Sequence, residues 1–256
     1  MRAWTAALLM AFAYLSAPPA AASPSAAAAY ASGDFLRAAD AGEAAGEPGG
    51  LSLAAQALLA RCVTDPKDDA IPALLDRAEK NARTALAQQP ASVDARLSLA
   101  LALGIKGKRA SVREALAQRY AERGRRLIDE ALALDPKSAW AQALLGGWNL
   151  EVLRRGGAVG GRLMGARFKN GVAAFDRARA LAPDNPAIAL HYAVALLSLD
   201  PKKHADRAAA LLAAAAASPA NDAFEARMRE EARRIGGALA TRGAQAAADL
   251  IAETLL

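Results

Sequence analysis

The sequence predicts an all-α protein built as a helical solenoid, and three observations carry this prediction. Three segments repeat one another around Pro90, Pro136 and Pro183, which are 46 and 47 residues apart, and each reads as a helix, a stop and a new helix. Repetition at such a period is typical of solenoids, whose helix pairs bury their apolar faces by stacking. The chain is rich in the helix formers Ala, Leu, Glu, Lys and Arg. It contains no alternating β-branched run that would indicate a strand.

The predicted helices are separated by residues that stop a helix. Prolines 66, 72, 90, 136, 183, 186, 201 and 219 fall at element junctions, where the missing N–H costs little. The segment from Gly42 to Gly50 is predicted to be a flexible link. We expect helices at 25–32, 35–46, 51–63, 71–88, 92–104, 110–134, 138–153, 170–182, 186–198, 203–217, 221–239 and 242–255.

The first 22 residues have the composition of a secretory signal. Arg2 supplies positive charge, an apolar run extends from Ala6 to Leu15, Pro18-Pro19 ends it, and small residues follow up to Ala22. We expect cleavage near Ala22, a single helical domain at 23–256, and a periplasmic or secreted protein. One alternative is an uncleaved anchor, although about 15 apolar residues fall short of the roughly 20 that a spanning helix needs. Another is a cut after Ala31, which would remove the start of the first helix pair.

The sequence gives little support to catalysis. Cys62 is the single cysteine, which excludes an internal disulfide and is expected to be a buried thiol. His191 and His204 are the two histidines, and no nucleophilic set or zinc motif accompanies them. The glycine-rich run from Gly156 to Gly161 follows no strand and lacks the Gly-Lys-Ser/Thr ending of a phosphate loop, so it is interpreted as a flexible insertion. We therefore expect no enzyme, no cofactor and no metal.

Small and large residues recur at fixed distances from the three prolines. This pattern resembles the tetratricopeptide repeat (TPR), whose two antiparallel helices cross closely at small positions, and the resemblance covers roughly residues 71–200. It implies a right-handed α-solenoid of antiparallel helix pairs that binds a protein or peptide. The positions are Ala85, Ala131 and Ala178 five residues before the proline, Ala82, Ile128 and Phe175 eight before, Ala78, Gly124 and Gly171 twelve before, and Leu99, Leu145 and Tyr192 nine after, each of the last followed by a small residue.

A finer resemblance appears where the repeat is lengthened by insertions. A Gly104-Ile105-Lys106 entry, an Asp135-Pro136 helix end, a Gly146-x-Trp148 pair and an Arg-bearing insertion before Phe175-x-Arg177-Ala178 resemble the regulator of microtubule dynamics family of TPR proteins. That resemblance covers about residues 100–185 and implies a helical adaptor without a catalytic motif. An exported chain would meet no microtubules, so the cytoskeletal role is not carried over.

The TPR resemblance also predicts which residues face a partner. In that family the first helix of each pair lines the concave face, and the same register here gives an apolar wall. Two occupants fit such a wall, an amphipathic helix of a partner or a helix from the chain's own ends, such as 242–255. The predicted wall consists of Leu97, Leu101, Ala143, Leu150, Leu190, Val194 and Leu197, with Trp140 beside it.

Basic residues concentrate in the two insertions. Between Lys106 and Arg126 there are eight basic residues against two acidic ones, and Arg154, Arg155, Arg162, Arg167 and Lys169 form a second basic surface. Such clusters can attract acidic peptides or an anionic membrane surface. The alternative is a solvated face with compensation at helix ends. Nucleic acid is not expected, because aromatic residues make up only 5% of the chain and no recognition module accompanies the charge.

These patterns together predict an exported TPR-type scaffold or adaptor. It would bind a protein partner through the apolar wall and the basic insertions, without catalysis. Two other functions remain open at the level of sequence. One is a peripheral structural factor at a membrane, and the other is a ligand-binding accessory protein of an envelope transporter.

Overall fold

The structure, a computed structural model, describes residues 23–254, and this range is folded into α-helices without a strand. The predicted all-α class is thereby confirmed. The predicted signal segment, residues 1–22, lies outside the described residues. The helices are α1 (Pro24–Ala31), α2 (Phe35–Ala45), α3 (Pro48–Thr64), α4 (Ile71–Gln88), α5 (Val93–Arg109), α6 (Val112–Ala117), α7 (Tyr120–Leu134), α8 (Ala139–Met164), α9 (Phe168–Leu181), α10 (Pro186–Leu199), α11 (Pro201–Ala217) and α12 (Ala223–Thr254).

The helix that follows each repeat proline begins with the same cap. Ser92, Ser138 and Asn185 each lie two residues after the proline, and each side chain accepts a hydrogen bond from a backbone N–H three residues further on, at 3.1, 3.2 and 3.0 Å respectively. A side-chain acceptor at this position satisfies one of the free N–H groups of the first turn. The sequence therefore sets the start of α5, α8 and α10 locally.

The helices pack as successive pairs, and the small residues lie where the pairs touch. Ala85, Ala131 and Ala178 have no exposed surface. A Cβ at Gly171 would lie 2.9 Å from the Leu150 Cδ2 atom, so only glycine allows α9 to approach α8 this closely. The prediction that small residues recur at helix crossings is confirmed.

Gly42 and Gly50 form a helix contact, and the prediction of a flexible link from Gly42 to Gly50 is wrong. Helix α2 continues to Ala45 and α3 begins at Pro48. A Cβ at Gly50 would lie 2.6 Å from the Gly42 carbonyl oxygen, and a Cβ at Gly42 would overlap the Gly50 carbonyl. These glycines are needed for the close crossing of α2 and α3.

Three other predicted boundaries are corrected. Helix α5 does not end at 104 but continues to Arg109. The predicted helix 110–134 is two helices, α6 and α7, because the backbone turns at Arg119, whose φ is 51°. The predicted helices 221–239 and 242–255 follow one another within α12, with a sharp bend at Gly243 (φ 87°, ψ 174°). Glycine adopts this positive φ without the steric cost that a side chain would add.

The last helix contacts the first. A Cβ at Gly33, in the turn after α1, would lie 2.9 Å from the Cβ of Ala223 at the start of α12. Glu225, in the first turn of α12, accepts a 3.0 Å hydrogen bond from the Asn185 side chain that caps α10. Helix α12 also contacts α3. The last helix thus packs against α10 and α11 and also reaches α1 and α3.

Candidate functional site

The structure buries the predicted wall inside the protein. Its seven aliphatic members are at most 2% exposed, and Trp140 is partly buried against the same core. The wall is covered by the chain's own helices, since α10 packs against α8 and α12 and α5 packs against α3 and α8. The prediction of an open partner groove at these positions is therefore corrected to core packing. The buried residues are Leu97, Leu101, Ala143, Leu150, Leu190, Val194 and Leu197.

An open apolar cleft lies between the two insertions, and Leu101 is the one predicted wall residue that lines it. It is enclosed by the end of α5, by α6, by the start of α7 and by α8, and its volume is about 260 Å³. Most of the lining is apolar, and the residues that shape it include Leu103, Val112, Leu116, Ile128, Leu144 and Trp148. We call this the insertion cleft.

Two contacts fix the floor of the insertion cleft. The Trp148 indole N–H donates a 2.9 Å hydrogen bond to the Ala121 carbonyl, and the Arg125 guanidinium lies 4.9 Å from the Trp148 ring centroid. A Cβ at Gly107 would lie 2.9 Å from the Tyr120 Cβ, so glycine lets α7 begin directly against α5. Trp148 is a buried anchor between α7 and α8.

The second insertion continues α8 beyond a sharp bend. Gly157 has φ 57° and ψ −154°, and the backbone is helical on both sides of it. The returning chain is held by Asn149, whose side-chain oxygen accepts a 3.0 Å hydrogen bond from the Arg167 N–H. The prediction that Gly156 to Gly161 is a flexible insertion is therefore corrected to a bent helix.

Exposed apolar side chains concentrate at the rim of the cleft. Val112 and Leu116 on α6 are 45% and 62% exposed, and Val159 and Leu163 on the second half of α8 are both 81% exposed. Val112, Leu116 and Leu163 also line the cleft. We call these four residues the insertion rim.

Two of the five basic residues of the second predicted basic surface form hydrogen bonds within the protein. Arg154 makes hydrogen bonds of 2.8 and 2.7 Å to the Glu151 carboxylate, and Arg155 donates a 2.8 Å bond to the Gly107 carbonyl. By contrast, Arg162, Arg167 and Lys169 are exposed and form no ion pair with another described residue.

The basic residues between Lys106 and Arg126 likewise include some that form ion pairs and others that do not. Lys106 lies 2.6 Å from the Asp76 carboxylate and 2.5 Å from that of Glu79, and Arg123 also approaches Glu79. Burial opposes ionisation of Glu79, yet the hydrogen bonds from Lys106 and Arg83 outweigh it and lower the pKa of this carboxyl. Within the described chain, Arg109, Arg113 and Arg126 are exposed without an ion pair.

Lys108 differs from every other basic residue of the insertions. Its side chain lines the insertion cleft, is only 7% exposed, and its Nζ atom has no hydrogen-bond partner among the described residues. Burial lowers the pKa of Lys108 to about 7, which the Glu151 carboxylate opposes only in part, and the charges of Arg154 and Arg155 lower it further. At neutral pH this amine is a buried group close to its titration point.

Sequence reasoning missed Lys108 because it ended α5 too early. With the helix ending at 104, the lysine was counted among surface charges. The signal was nevertheless present. Leu97, Leu101, Ile105 and Lys108 follow the helical spacing of one face, and the first three are fully buried. Extending that face by one turn places Lys108 in the interior.

Comparison with known proteins agrees with this architecture. No protein-family model matches the sequence, and no curated protein matches it. Among solved structures, the chain is similar to TTC0263, described as a thermophilic TPR protein in Thermus thermophilus. The identity is 22%, the TM-score is 0.55, and the match covers 79% of this chain and 92% of that one. The fold is TPR-like. At this identity the similarity shows the fold alone, and the finer resemblance to the regulator of microtubule dynamics family stays a prediction.

Across the described residues, no group of three or more His, Cys, Asp or Glu side chains is placed to hold a metal ion. Cys62 is buried, and burial raises the pKa of its thiol to about 12. His191 is buried in α10, where burial and then the charge of Lys108 hold its imidazole pKa well below the usual range.

From Ser23 to Thr254, none of the helices combines the length and the apolar character needed to cross a bilayer.

Proposed function

We propose that this TPR-like chain is an exported scaffold that binds an acidic amphipathic helix of a partner protein at the insertion rim. The observation that supports this proposal is the gathering of three exposed apolar side chains, Val112, Leu116 and Leu163, around one apolar cleft, with Val159 exposed on the same insertion. The wall predicted from the TPR resemblance is buried, so the rim offers the exposed apolar surface that a helix-in-groove contact requires.

Charge complementarity favours an acidic partner. Arg109 and Arg113 flank the α6 part of the rim and Arg162 lies beside Leu163, and all three are exposed without an ion pair in the described range. Unpaired guanidinium groups at the edge of an apolar patch attract carboxylates and repel basic segments. An amphipathic helix would place apolar residues over Val112, Leu116 and Leu163 and acidic residues toward these arginines.

The test compares two pairs of exposed leucines. The chain is used to capture proteins from an envelope extract, once as wild type, once as Leu116→Asp/Leu163→Asp and once as the control Leu134→Asp/Leu181→Asp. Leu134 and Leu181 are 47% and 39% exposed, at the ends of α7 and α9. We expect the rim variant to lose one protein that the control retains, and a synthetic acidic helix from that protein to bind the wild type.

Two results would overturn the proposal. A partner that is retained by the rim variant binds elsewhere. If instead the rim variant loses salt-sensitive sedimentation with vesicles containing anionic lipid, and no protein is lost, the rim is a membrane-binding surface. Equal thermal unfolding of the two variants is required before either result is used.

Export is proposed from the composition of residues 1–22 alone. We expect the chain recovered from the envelope fraction of its host to begin at Ser23 by N-terminal sequencing. A cytosolic chain that retains Met1 to Ala22 would contradict it. This test is independent of partner binding.

A further inference from the structure

We infer that the insertion cleft binds a small amphipathic carboxylate, with its apolar chain among the cleft side chains and its carboxylate paired with Lys108. This inference goes beyond the proposed function and does not depend on it, since the ligand would pair with the buried Lys108 inside the cleft, whereas the partner helix would lie on the exposed side of the rim residues. Nothing in the TPR-like fold as such assigns a small-molecule site to this position.

The shape of the cleft favours a short apolar chain. Ligand pockets usually measure roughly 300–1,000 Å³, and the insertion cleft, at about 260 Å³, lies just below that range. Its walls combine aliphatic side chains, such as Leu103, Ile128 and Leu144, with the Trp148 ring. A medium-length acyl chain fits this space, and a two-chain lipid does not.

Glycines leave part of the cleft unfilled. Gly104 lies in α5 and Gly156 lies before the bend of α8, and both line the cleft. A Cβ built at either position would meet no heavy atom within 4 Å. Glycine lowers the stability of a helix interior. Helix packing does not require glycine at position 104, because a Cβ there would meet no other atom, and space for a ligand accounts for it.

The electrostatics select a carboxylate. A buried amine without a partner is unfavourable unless an acceptor reaches it, and the groups that face Lys108 do not supply one. On α8, Glu151 is engaged by two hydrogen bonds from Arg154, and Arg155 is cationic and held at the Gly107 carbonyl. On α10, the His191 imidazole is close enough to feel the charge of Lys108, yet the Lys108 Nζ atom makes no hydrogen bond to it. An entering carboxylate would supply the missing acceptor, whereas an ammonium group would add a second positive charge beside Lys108 and supply no acceptor.

The experiment is calorimetric titration of the purified full chain with sodium decanoate, and with decylamine as the matched cation. We expect saturable binding of decanoate and none of decylamine. Lys108→Met should weaken decanoate binding by at least about tenfold, as expected for the loss of a charge-assisted hydrogen bond. Lys202→Met, at an exposed position of α11, should leave it unchanged.

A second variant keeps the test valid if Lys108→Met fails to fold. Gly104→Leu fills the cleft and should abolish decanoate binding, and Gly237→Leu is its control, since Gly237 lies in α12 with open space at its Cβ.

Titration in two buffers with different ionisation enthalpies should show proton uptake near pH 7, because the carboxylate stabilises the charged form of Lys108.

The outcomes are decisive in both directions. Binding that requires Lys108, is blocked by Gly104→Leu and takes up protons supports the inference. Equal affinity of wild type and Lys108→Met, equal binding of decanoate and decylamine, or no binding to the wild type would overturn it. If no protein is captured, or if the rim variant retains every captured protein, while decanoate still binds the wild type, the proposed function is refuted and this inference stands.

Discussion

Two apolar regions of the molecule invite comparison, the wall of α5, α8 and α10 and the insertion rim. Both consist of aliphatic side chains on helices, yet the aliphatic wall residues are at most 2% exposed and the rim residues are 45% to 81% exposed. The wall lies in the repeating units, where a neighbouring helix covers each apolar face. The rim lies on segments that interrupt the repeat, and no described helix packs over it.

The difference between wall and rim shows that apolar residues in register with a solenoid repeat indicate packing between helices. Residues that recur in register with the repeat are explained by stacking between neighbouring pairs. Apolar residues that fall outside the register, such as Leu116 and Leu163, are not accounted for by that stacking. The search for a binding surface therefore belongs in the insertions.

The largest expected effect concerns the wall. Leu197→Ala should lower the free energy of unfolding by about 2–5 kcal/mol, because it leaves a cavity in a fully buried position. Leu163→Ala should change it by no more than about 0.5 kcal/mol, because that side chain is already in water. Urea unfolding of both variants measures the difference. Equal effects would show that the wall is open in solution.

The next effect compares two helix glycines. Gly146→Ala should destabilise by about 1–3 kcal/mol, because its Cβ would press on the Phe175 ring, which stacks 4.6 Å from the Tyr192 ring. Gly104→Ala should stabilise by about 0.5–1 kcal/mol, since its methyl group enters open space and improves helix propensity. Thermal unfolding distinguishes them, and destabilisation by Gly104→Ala would argue against an empty cleft.

The repeat architecture could be predicted from the sequence because its causes are local. The proline stops and the small residues at helix crossings each act within a few residues or between adjacent helices, and the structure adds the equally local caps at Ser92, Ser138 and Asn185. The recurrence of the stops and small residues at one spacing identified the helix pairs. The TPR-like fold followed from this recurrence.

The cleft could not be predicted because it depends on contacts between distant segments. Tyr120 meets Gly107, and Arg155 reaches the Gly107 carbonyl from 48 residues away. Glycines were also ambiguous in the sequence. Gly42 and Gly50 permit a tight helix crossing and Gly157 permits a bend, although all three belong to runs that indicate flexibility, and Gly104 leaves open space.

A pH-dependent effect separates Lys108 from the exposed lysines. Its folded-state pKa of about 7 lies below the roughly 10.4 of an unfolded chain. The folded state therefore binds fewer protons than the unfolded state between these values, and its stability rises with pH across this window. The penalty of burying the charge is fully present below about pH 7. Relative to Lys108→Met, the wild type should gain up to about 1.4 kcal/mol per pH unit above pH 7.

Urea titrations of wild type and Lys108→Met at several pH values between about 6 and 9 measure this gain. Lys202→Met is the control and should follow the wild type, because Lys202 is exposed. A constant difference between wild type and Lys108→Met would show that Lys108 titrates normally. Its amine would then reach water.

The smallest expected effect on stability comes from Arg154→Ala, which tests whether Arg154 keeps the Glu151 carboxylate away from Lys108. Arg154 lies on α8 with Glu151 and holds both carboxylate oxygens of that residue. Arg154→Ala should cost no more than about 1 kcal/mol of stability, as is usual for partly exposed pairs. It should nevertheless raise the pKa of Lys108, because the released carboxylate is then free to neutralise the amine.

The same release should weaken decanoate binding, since Glu151 would compete with the ligand for Lys108. Arg162→Ala removes an equal charge from the exposed part of the insertion and should alter neither the pKa of Lys108 nor the decanoate affinity. Nuclear magnetic resonance titration of the lysine side chains, with calorimetry on both variants, measures the two quantities. An unchanged Lys108 in Arg154→Ala would mean that Glu151 cannot reach it. The cleft would then select its ligand by shape rather than by charge.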